Sequence, residues 1–194
     1  MTAGCSLLIL AGGSSRRMGR DKAALPVGEI PLVEHLARRL SPVVDEVIVA
    51  GGGHALRGPE VRFVADRFAG MGPLAGMHAG FREARHPLIW VVACDLPDVE
   101  PQLGPLMVGM ADDFEAVVPR PDSEPEGVCA VYRRALASRI EAMLLACDLS
   151  VKQLLATSNV RYLGASELQA VDPELRSFRN LNTPADYEAW IRTR

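Results

Sequence analysis

The run Leu7-Leu8-Ile9-Leu10 breaks abruptly into Ala11-Gly12-Gly13, and the next nine residues, SSRRMGRDK, carry three arginines and a lysine. A short unbroken apolar run closed by glycines reads as a buried strand. A strand with no polar alternation is covered on both faces, which is the habit of parallel sheets flanked by helices. The loop after it suits an anion. Glycine lets backbone N–H groups approach closely, and a nest of such groups carries partial positive charge. Arg16, Arg17, Arg20 and Lys22 add full charges within the same loop. Arginine can hold phosphate oxygens with two N–H groups at once, and lysine acts as a compact point charge. Neither common phosphate signature is present: Lys22 is followed by Ala23, so GxxxxGK[ST] fails, and no GxGxxG occurs here.

The rest of the chain repeats the theme of apolar strands and amphipathic helices. Residues 5–11 read as the first strand and 25–27 as a short extended piece. A helix is expected to start at Ile30-Pro31, with Leu32, Val33, Leu36, Ala37 and Leu40 on one face, and to end at Ser41-Pro42. Further strands are expected at 46–50, 61–65, 88–93, 116–118, 127–132 and 160–163. Further helices are expected at 73–84, 101–110, 136–146 and 151–156, and from Thr183-Pro184 to about Ile191. Alternation of strand and helix up to about residue 118 implies right-handed crossovers and a mostly parallel sheet. The fold class is therefore α/β: a single three-layer Rossmann-like domain over residues 1–194, with 119–126 as a surface loop. Ligands of such sheets bind at the carboxyl ends of the strands.

Size and charge narrow the function. A chain of 194 residues supports one good core. A net charge of -3 argues against a general nucleic-acid binder, which would be basic. No apolar run approaches the roughly 18 residues that span a bilayer, and no basic segment precedes the first one, so a cytoplasmic protein with no membrane association is expected. Cys5, Cys94, Cys129 and Cys147 have no CxxC or Cys/His metal spacing and read as buried small hydrophobes in a reducing compartment.

Several polar residues fall at strand ends. Asp95, in CDLPD after the most continuous apolar strand, could hold Mg²⁺ against phosphates or could cap a turn. Asp66 could contact a nucleotide, back up a metal, or pair with Arg67 or another local arginine. The glycines of GMGPLAGM suit a backbone passing close to a ligand or a plain loop before a helix. Asn180 and Asn182, at i and i+2, suit the edge of a heterocycle or the cap of the last helix. Asp98 reads as a capping or solvent residue, Arg133-Arg134 as a solvated turn and Lys152 as surface. His35, His54, His78 and His86 share no zinc spacing, have no obvious acidic partner and read as structural or solvent residues. Ser14 and Ser15 lack a GxSxG context, which argues against serine hydrolysis.

Taken together, LAGGSSRRMGRDK, GPLAGMHAG (72–80), CDLP (94–97), EGVCAVYRRAL (126–136) and NLNTPADYEAW (180–190) resemble nucleotidyltransferases acting on nucleoside triphosphates, and within them the molybdenum cofactor guanylyltransferase family. The resemblance implies a nucleotidyltransferase-type fold with a nucleotide-binding half (1–118) and an acceptor-binding half (119–194). It implies transfer of GMP from GTP to the phosphate of molybdopterin or its molybdenum-loaded form, with Mg²⁺ as cofactor and pyrophosphate released. It further implies that Leu10, Ala11, Gly12 and Gly13 border the nucleotide, that Arg17 and Lys22 face the triphosphate, and that Asp66 contributes to the nucleotide site. Asp95 would hold the metal, and Asn180 and Asn182 would lie on the acceptor side. Transient contact with molybdenum cofactor-handling proteins is expected on the same ground. The chain departs from some members in having Ala50 where they carry asparagine, so guanine would be read by backbone groups. It also lacks the His-Pro that some members carry near Glu126-Gly127. Competing readings are the same chemistry with CTP, a sugar-phosphate acceptor, or a nucleotide-binding regulatory protein without turnover. A long C-terminal left-handed helix or dimerisation arm would favour the sugar reading, and none is expected here.

Overall fold

The structure, a computed structural model, describes residues 4–12, 21–51 and 60–193. Its first strand, β1 (Cys5–Leu10), is fully buried. A 3-10 turn at Lys22–Ala24 precedes the short antiparallel pair β2 (Pro26–Val27) and β3 (Ile30–Pro31), and α1 (Leu32–Leu40) follows. Then come β4 (Glu46–Ala50), β5 (Val61–Val64), α2 (Pro73–Glu83), β6 (Leu88–Ala93) and α3 (Leu103–Val108). The second half adds β7 (Ala116–Arg120), β8 (Cys129–Arg133), α4 (Ala137–Leu145), α5 (Val151–Ala156), β9 (Val160–Gly164), α6 (Ala165–Leu168) and α7 (Pro184–Arg192).

Seven strands form one sheet in the order β5-β4-β1-β6-β8-β7-β9. All neighbouring pairs are parallel except those of β8, which runs antiparallel to β6 and to β7. Residues alternate sides along β1. Leu7 and Ile9 join the core under α1 and α3, while Leu8 and Leu10 join the core under α2, α4 and α5. That period of two on a strand buried on both faces gives three layers, an α/β fold with a mostly parallel central sheet. A smaller cluster of Leu25, Leu32, Leu181 and Trp190 fastens α7 beside the β2–β3 hairpin.

Several local expectations change. Ile30-Pro31 pairs with β2 instead of opening the helix, and Pro31, at φ -70 and ψ 154, is the N-cap of α1. Its ring fixes φ without requiring a helical ψ, so it serves equally well just outside the first turn. The helix expected at 101–110 is trimmed to Leu103–Val108, and the strand expected to begin at Gly127 begins at Cys129. Cys147 is exposed, at φ 58 just past α4, while the other three cysteines are buried. Arg134 is exposed at the start of a 3-10 turn, but Arg133 is half-buried and is no solvated turn residue. Arg133 donates to the carbonyls of Phe114, Ala111 and Asp112, and Arg134 donates to that of Ala84. These loop carbonyls lack ladder partners and need donors. Asp98 is not a cap either: its Oδ2 accepts the indole N–H of Trp190 at 2.9 Å. Lys152 meets Glu124 at the surface. His54 lies outside the described residues.

His78 faces the core from α2 and is 1% exposed. Neither ring nitrogen has a hydrogen-bond partner among the described residues. Phe68 packs edge-on at 5.2 Å between ring centroids, and Glu141 stands 3.8 Å away, an acidic neighbour the sequence did not reveal. Burial holds its pKa below the usual imidazole value, outweighing the attraction of Glu141. The unfolded chain therefore takes up this proton first, near pH 6.5. The folded state keeps its full stability above that pH and loses part of it as pH falls through and below it. The melting temperature of the wild type is expected to drop more steeply between pH 7 and pH 5 than that of His78→Leu. Parallel pH profiles would contradict this.

Candidate active site

Three neighbouring strands end at the same level. β1 lies between β4 and β6, and its last residue, Leu10, is in register with Ala50 and with Ala93. Beyond the last registered pair, Ala11 N–H donates to Ala50 O at 2.9 Å, and Cys94 N–H donates to Leu10 O at 3.1 Å. Gly12 and Asp95 therefore leave the sheet side by side. Gly51, at φ +80, packs its Cα against the backbone of Gly12, and a Cβ there would come within 2.7 Å of Gly12 Cα and N. This is a close approach that only glycine permits.

The second half of the chain closes the other side. Val128 O accepts Ala93 N–H at 2.8 Å, and Leu181 N–H donates to Asp95 O at 2.8 Å. The segments before β8 and before α7 are thereby pinned to the tip of β6. Lys22 arrives from the 3-10 turn. Asp21 caps that turn, its Oδ1 accepting Ala23 N–H at 3.0 Å, and the buried methyl of Ala23 anchors it in the core. From there Lys22 Nζ donates to Asp95 Oδ2 at 3.2 Å. The two side chains are 18% and 24% exposed, so the pair is sheltered yet still open to a ligand.

These elements bound a cleft of about 240 Å³. Leu10, Ala11, Gly12, Lys22, Asp95 and Asn180 all line it, so six of the residues singled out in the sequence come together in one place. Gly13 and Arg17, with Arg16 and Arg20, lie outside the described residues. Asp66 is not among the lining residues. Its Oδ1 accepts Phe68 N–H at 2.8 Å and closes the turn after β5, while Arg67 reaches Glu141. Asn182 is exposed and also absent from the lining, and its N–H donates to Asp186 Oδ2 at 3.0 Å. Asp21, Pro73, Ala93, Cys94 and Val128 complete the wall. Asp21 had a signal in its place beside Lys22, Pro73 in the glycine-rich GMGPLAGM stretch, Cys94 in CDLP and Val128 in EGVCAVYRRAL, while Ala93 matters through the path of its backbone, which residue type does not report.

The electrostatics around the cleft are arranged by sign. Burial raises the Glu126 carboxyl above its usual range, and the charges of Asp122 and Asp95 raise it further. Asp186 is held below its usual range mainly by hydrogen bonds from Thr183, with a contribution from Lys22. The Cys94 thiol is pushed up to about 12 by burial and then by Asp95, so it stays protonated and is no nucleophile. Among the described residues no three His, Cys, Asp or Glu side chains are grouped to hold a metal. The carboxylates that line the cleft are those of Asp95 and Asp21; Asp21 is engaged in capping its turn, which makes Asp95 the hard ligand best placed for a metal. Mg²⁺ commonly takes one or two carboxylates and completes its shell with phosphate oxygens and water, so this donor set fits it.

Comparison with known proteins shows the family to which the fold belongs. Residues 7–162 match the family model described as the MobA-like NTP transferase domain. A protein of Pelotomaculum thermopropionicum named probable molybdenum cofactor guanylyltransferase is 37% identical over 181 residues, covering 92% of this chain and 88% of that one. One from Syntrophotalea carbinolica named molybdenum cofactor guanylyltransferase is 33% identical, covering 96% and 90%. The crystal structure of molybdopterin-guanine dinucleotide biosynthesis protein A from Archaeoglobus fulgidus superposes with a TM-score of 0.82 at 26% identity, covering 97% of each chain.

A partly exposed ion pair contributes at most about 1 kcal/mol to folding. Lys22→Ala and Asp95→Asn should each shift the melting temperature by less than about 4 °C, measured by calorimetry. A larger loss would make the pair structural.

Proposed function

The chain belongs to the family of MobA-like NTP transferase domains, and on that premise we propose that it is a molybdenum cofactor guanylyltransferase. It would transfer GMP from GTP to the phosphate of molybdopterin or its molybdenum-loaded form and release pyrophosphate. The observation that carries this reading is the meeting of Lys22 Nζ and Asp95 Oδ2 at 3.2 Å in a cleft shared by Gly12 and Asn180. A cation from the first strand's loop and a carboxylate from the β6 tip would then address one triphosphate. The cleft draws its walls from both parts of the sequence, the strand tips from residues 1–118 and Val128 and Asn180 from 119–194. This supports one domain with a nucleotide half and an acceptor half.

The reaction has a charge problem more than a proton problem. The second pKa of a phosphate monoester is about 6, so the acceptor is already a competent nucleophile at neutral pH. The obstacle is bringing it against a polyanion. Lys22 would leave Asp95 for the phosphate oxygens and would stabilise the charge that builds on the departing pyrophosphate. Arg17 enters the proposal by its place in the motif, as a second cation on the triphosphate. Asp95 would hold Mg²⁺, which when bound supplies charge neutralisation and polarises the phosphoryl group. Asn180 and Asn182 would orient the acceptor. Asp66 would act indirectly, through the turn that leads to Pro73 at the cleft wall. The family relationship and the absence of any membrane-length apolar helix among the described residues support a cytoplasmic site of action. Transient contact with cofactor-handling proteins stays part of the proposal.

Base selection would rest on Gly12. A Cβ at this position would meet Gly51 Cα at 3.5 Å and Ala50 O at 4.0 Å, ordinary contact distances. Among the described residues no packing contact requires glycine here, so this side would be available to a purine.

Pyrophosphate release is expected with GTP, molybdopterin and Mg²⁺, not with CTP, ATP or UTP, and should stop on adding EDTA. Equal rates with CTP would overturn the guanine assignment. Lys22→Ala and Asp95→Asn should each lower kcat by roughly a hundredfold or more while the fold persists. A folded variant with near-wild-type kcat would remove that residue from the mechanism. Gly12→Ala should keep its melting temperature and lose GTP relative to CTP by about tenfold in kcat/KM, the worth of one methyl group in a close-fitting pocket.

A further inference from the structure

A second groove, of about 510 Å³, continues from the cleft across Asn180, which lines both. Its floor includes Leu181, Ala189 and Trp190. The Trp190 indole is fixed by its N–H to Asp98 and packs against His35 and Tyr187. Almost every charged group facing the groove is already engaged. Arg176 pairs with Glu174 at 2.8 Å. Asp98 accepts the indole N–H, and Asp186 accepts the N–H groups of Asn182 and Thr183. Arg179 differs: it is exposed, and its side chain makes no hydrogen bond or ion pair with any other described residue. It is nevertheless well placed. Leu181, two residues on, is tied by its N–H to the carbonyl of Asp95 at 2.8 Å, so the segment bearing Arg179 is anchored to the reaction centre.

We propose that Arg179 binds the acceptor, gripping its negative charge, while the flat ring system lies over Trp190 and Leu181. The inference rests on the transferase reading for the identity of the acceptor. The residue itself emerges from the groove's balance of charges: an apolar floor with one uncommitted guanidinium is suited to a flat heterocycle that carries an anion. The nucleotide is expected on the other side of Asn180, against Gly12, so Arg179 should discriminate between the two substrates.

The test is calorimetric titration of the full chain with molybdopterin under anaerobic conditions, and separately with GTP and Mg²⁺, for wild type, Arg179→Ala, Arg179→Glu and Arg179→Lys. Loss of one charged hydrogen-bonding group should weaken molybdopterin binding roughly tenfold or more in Arg179→Ala, and further in Arg179→Glu. Arg179→Lys should recover part of the loss, and GTP affinity should stay within about twofold. In turnover the same variants should raise KM for molybdopterin and leave kcat near wild type. Unchanged molybdopterin affinity in Arg179→Ala, equal weakening of both substrates, or no molybdopterin binding by the wild type would overturn the proposal. A wild type that binds molybdopterin but releases no pyrophosphate from GTP would defeat the transferase reading alone, and the Arg179 comparison would still decide the groove.

Discussion

Hydrogen bonds at the carboxyl ends of β4, β1 and β6 hold the site together. Ala50 O takes the N–H of Ala11, and Leu10 O takes the N–H of Cys94. These groups belong to buried residues, and leaving any of them unpaired would cost on the order of 1–3 kcal/mol. The chain therefore cannot release the ends of these strands without a penalty. The departure points of the glycine loop and of Asp95 are set by that requirement before any ligand arrives. The close contact of Gly12 with Gly51 belongs to the same constraint, because a side chain at 51 would push the two tips apart.

On this base the charges are placed in advance. The protein as a whole is mildly acidic, with a net charge of -3. Yet its cleft sets Lys22 against Asp95, with Asp186 near enough to feel Lys22 and Glu126 near enough to feel Asp95. A triphosphate entering this field would exchange one set of partners for another. Groups already oriented need little reorganisation at the moment of reaction, and that is the main source of electrostatic catalysis. On the proposed reading, the groove beyond Asn180 would extend the same logic to the second substrate, with Arg179 unpaired among the described residues beside an apolar floor.

Much of this was legible in the residues, for identifiable reasons. β1, β4 and β6 each carry a continuous apolar run of at least four residues, ended by glycine, alanine or Cys-Asp, and their observed limits differ from expectation by at most a residue. The direction of β8 was not legible, because a period of two reports a strand and says nothing of which way it runs. Proline at 31 was misplaced by one position, since its φ suits an N-cap as well as a first turn. Arg133 and Asp98 looked like solvent residues because charge was read without asking which carbonyls and which indole needed a partner. Cys147 follows a helix whose last turn carries Leu145 at 71% exposure, so its apolar surroundings in the sequence did not become a buried site. In the cleft, Lys22, Asp95 and Asn180 were recognisable by type and spacing. Pro73 and Val128 lay inside stretches that the sequence singled out, GMGPLAGM and EGVCAVYRRAL, but their residue type did not mark them individually, because their contribution is the route of the main chain.

If Lys22 and Asp95 serve one triphosphate, they should behave as a unit. The decisive measurement is a double-mutant cycle on kcat/KM for GTP-dependent pyrophosphate release, with Lys22→Ala, Asp95→Asn and the double variant under identical metal and salt. The account predicts strong non-additivity, the double variant being little slower than the slower single one, as for residues that act together on one transition state. Losses that simply multiply would mean that the two residues work at independent places, and would contradict it.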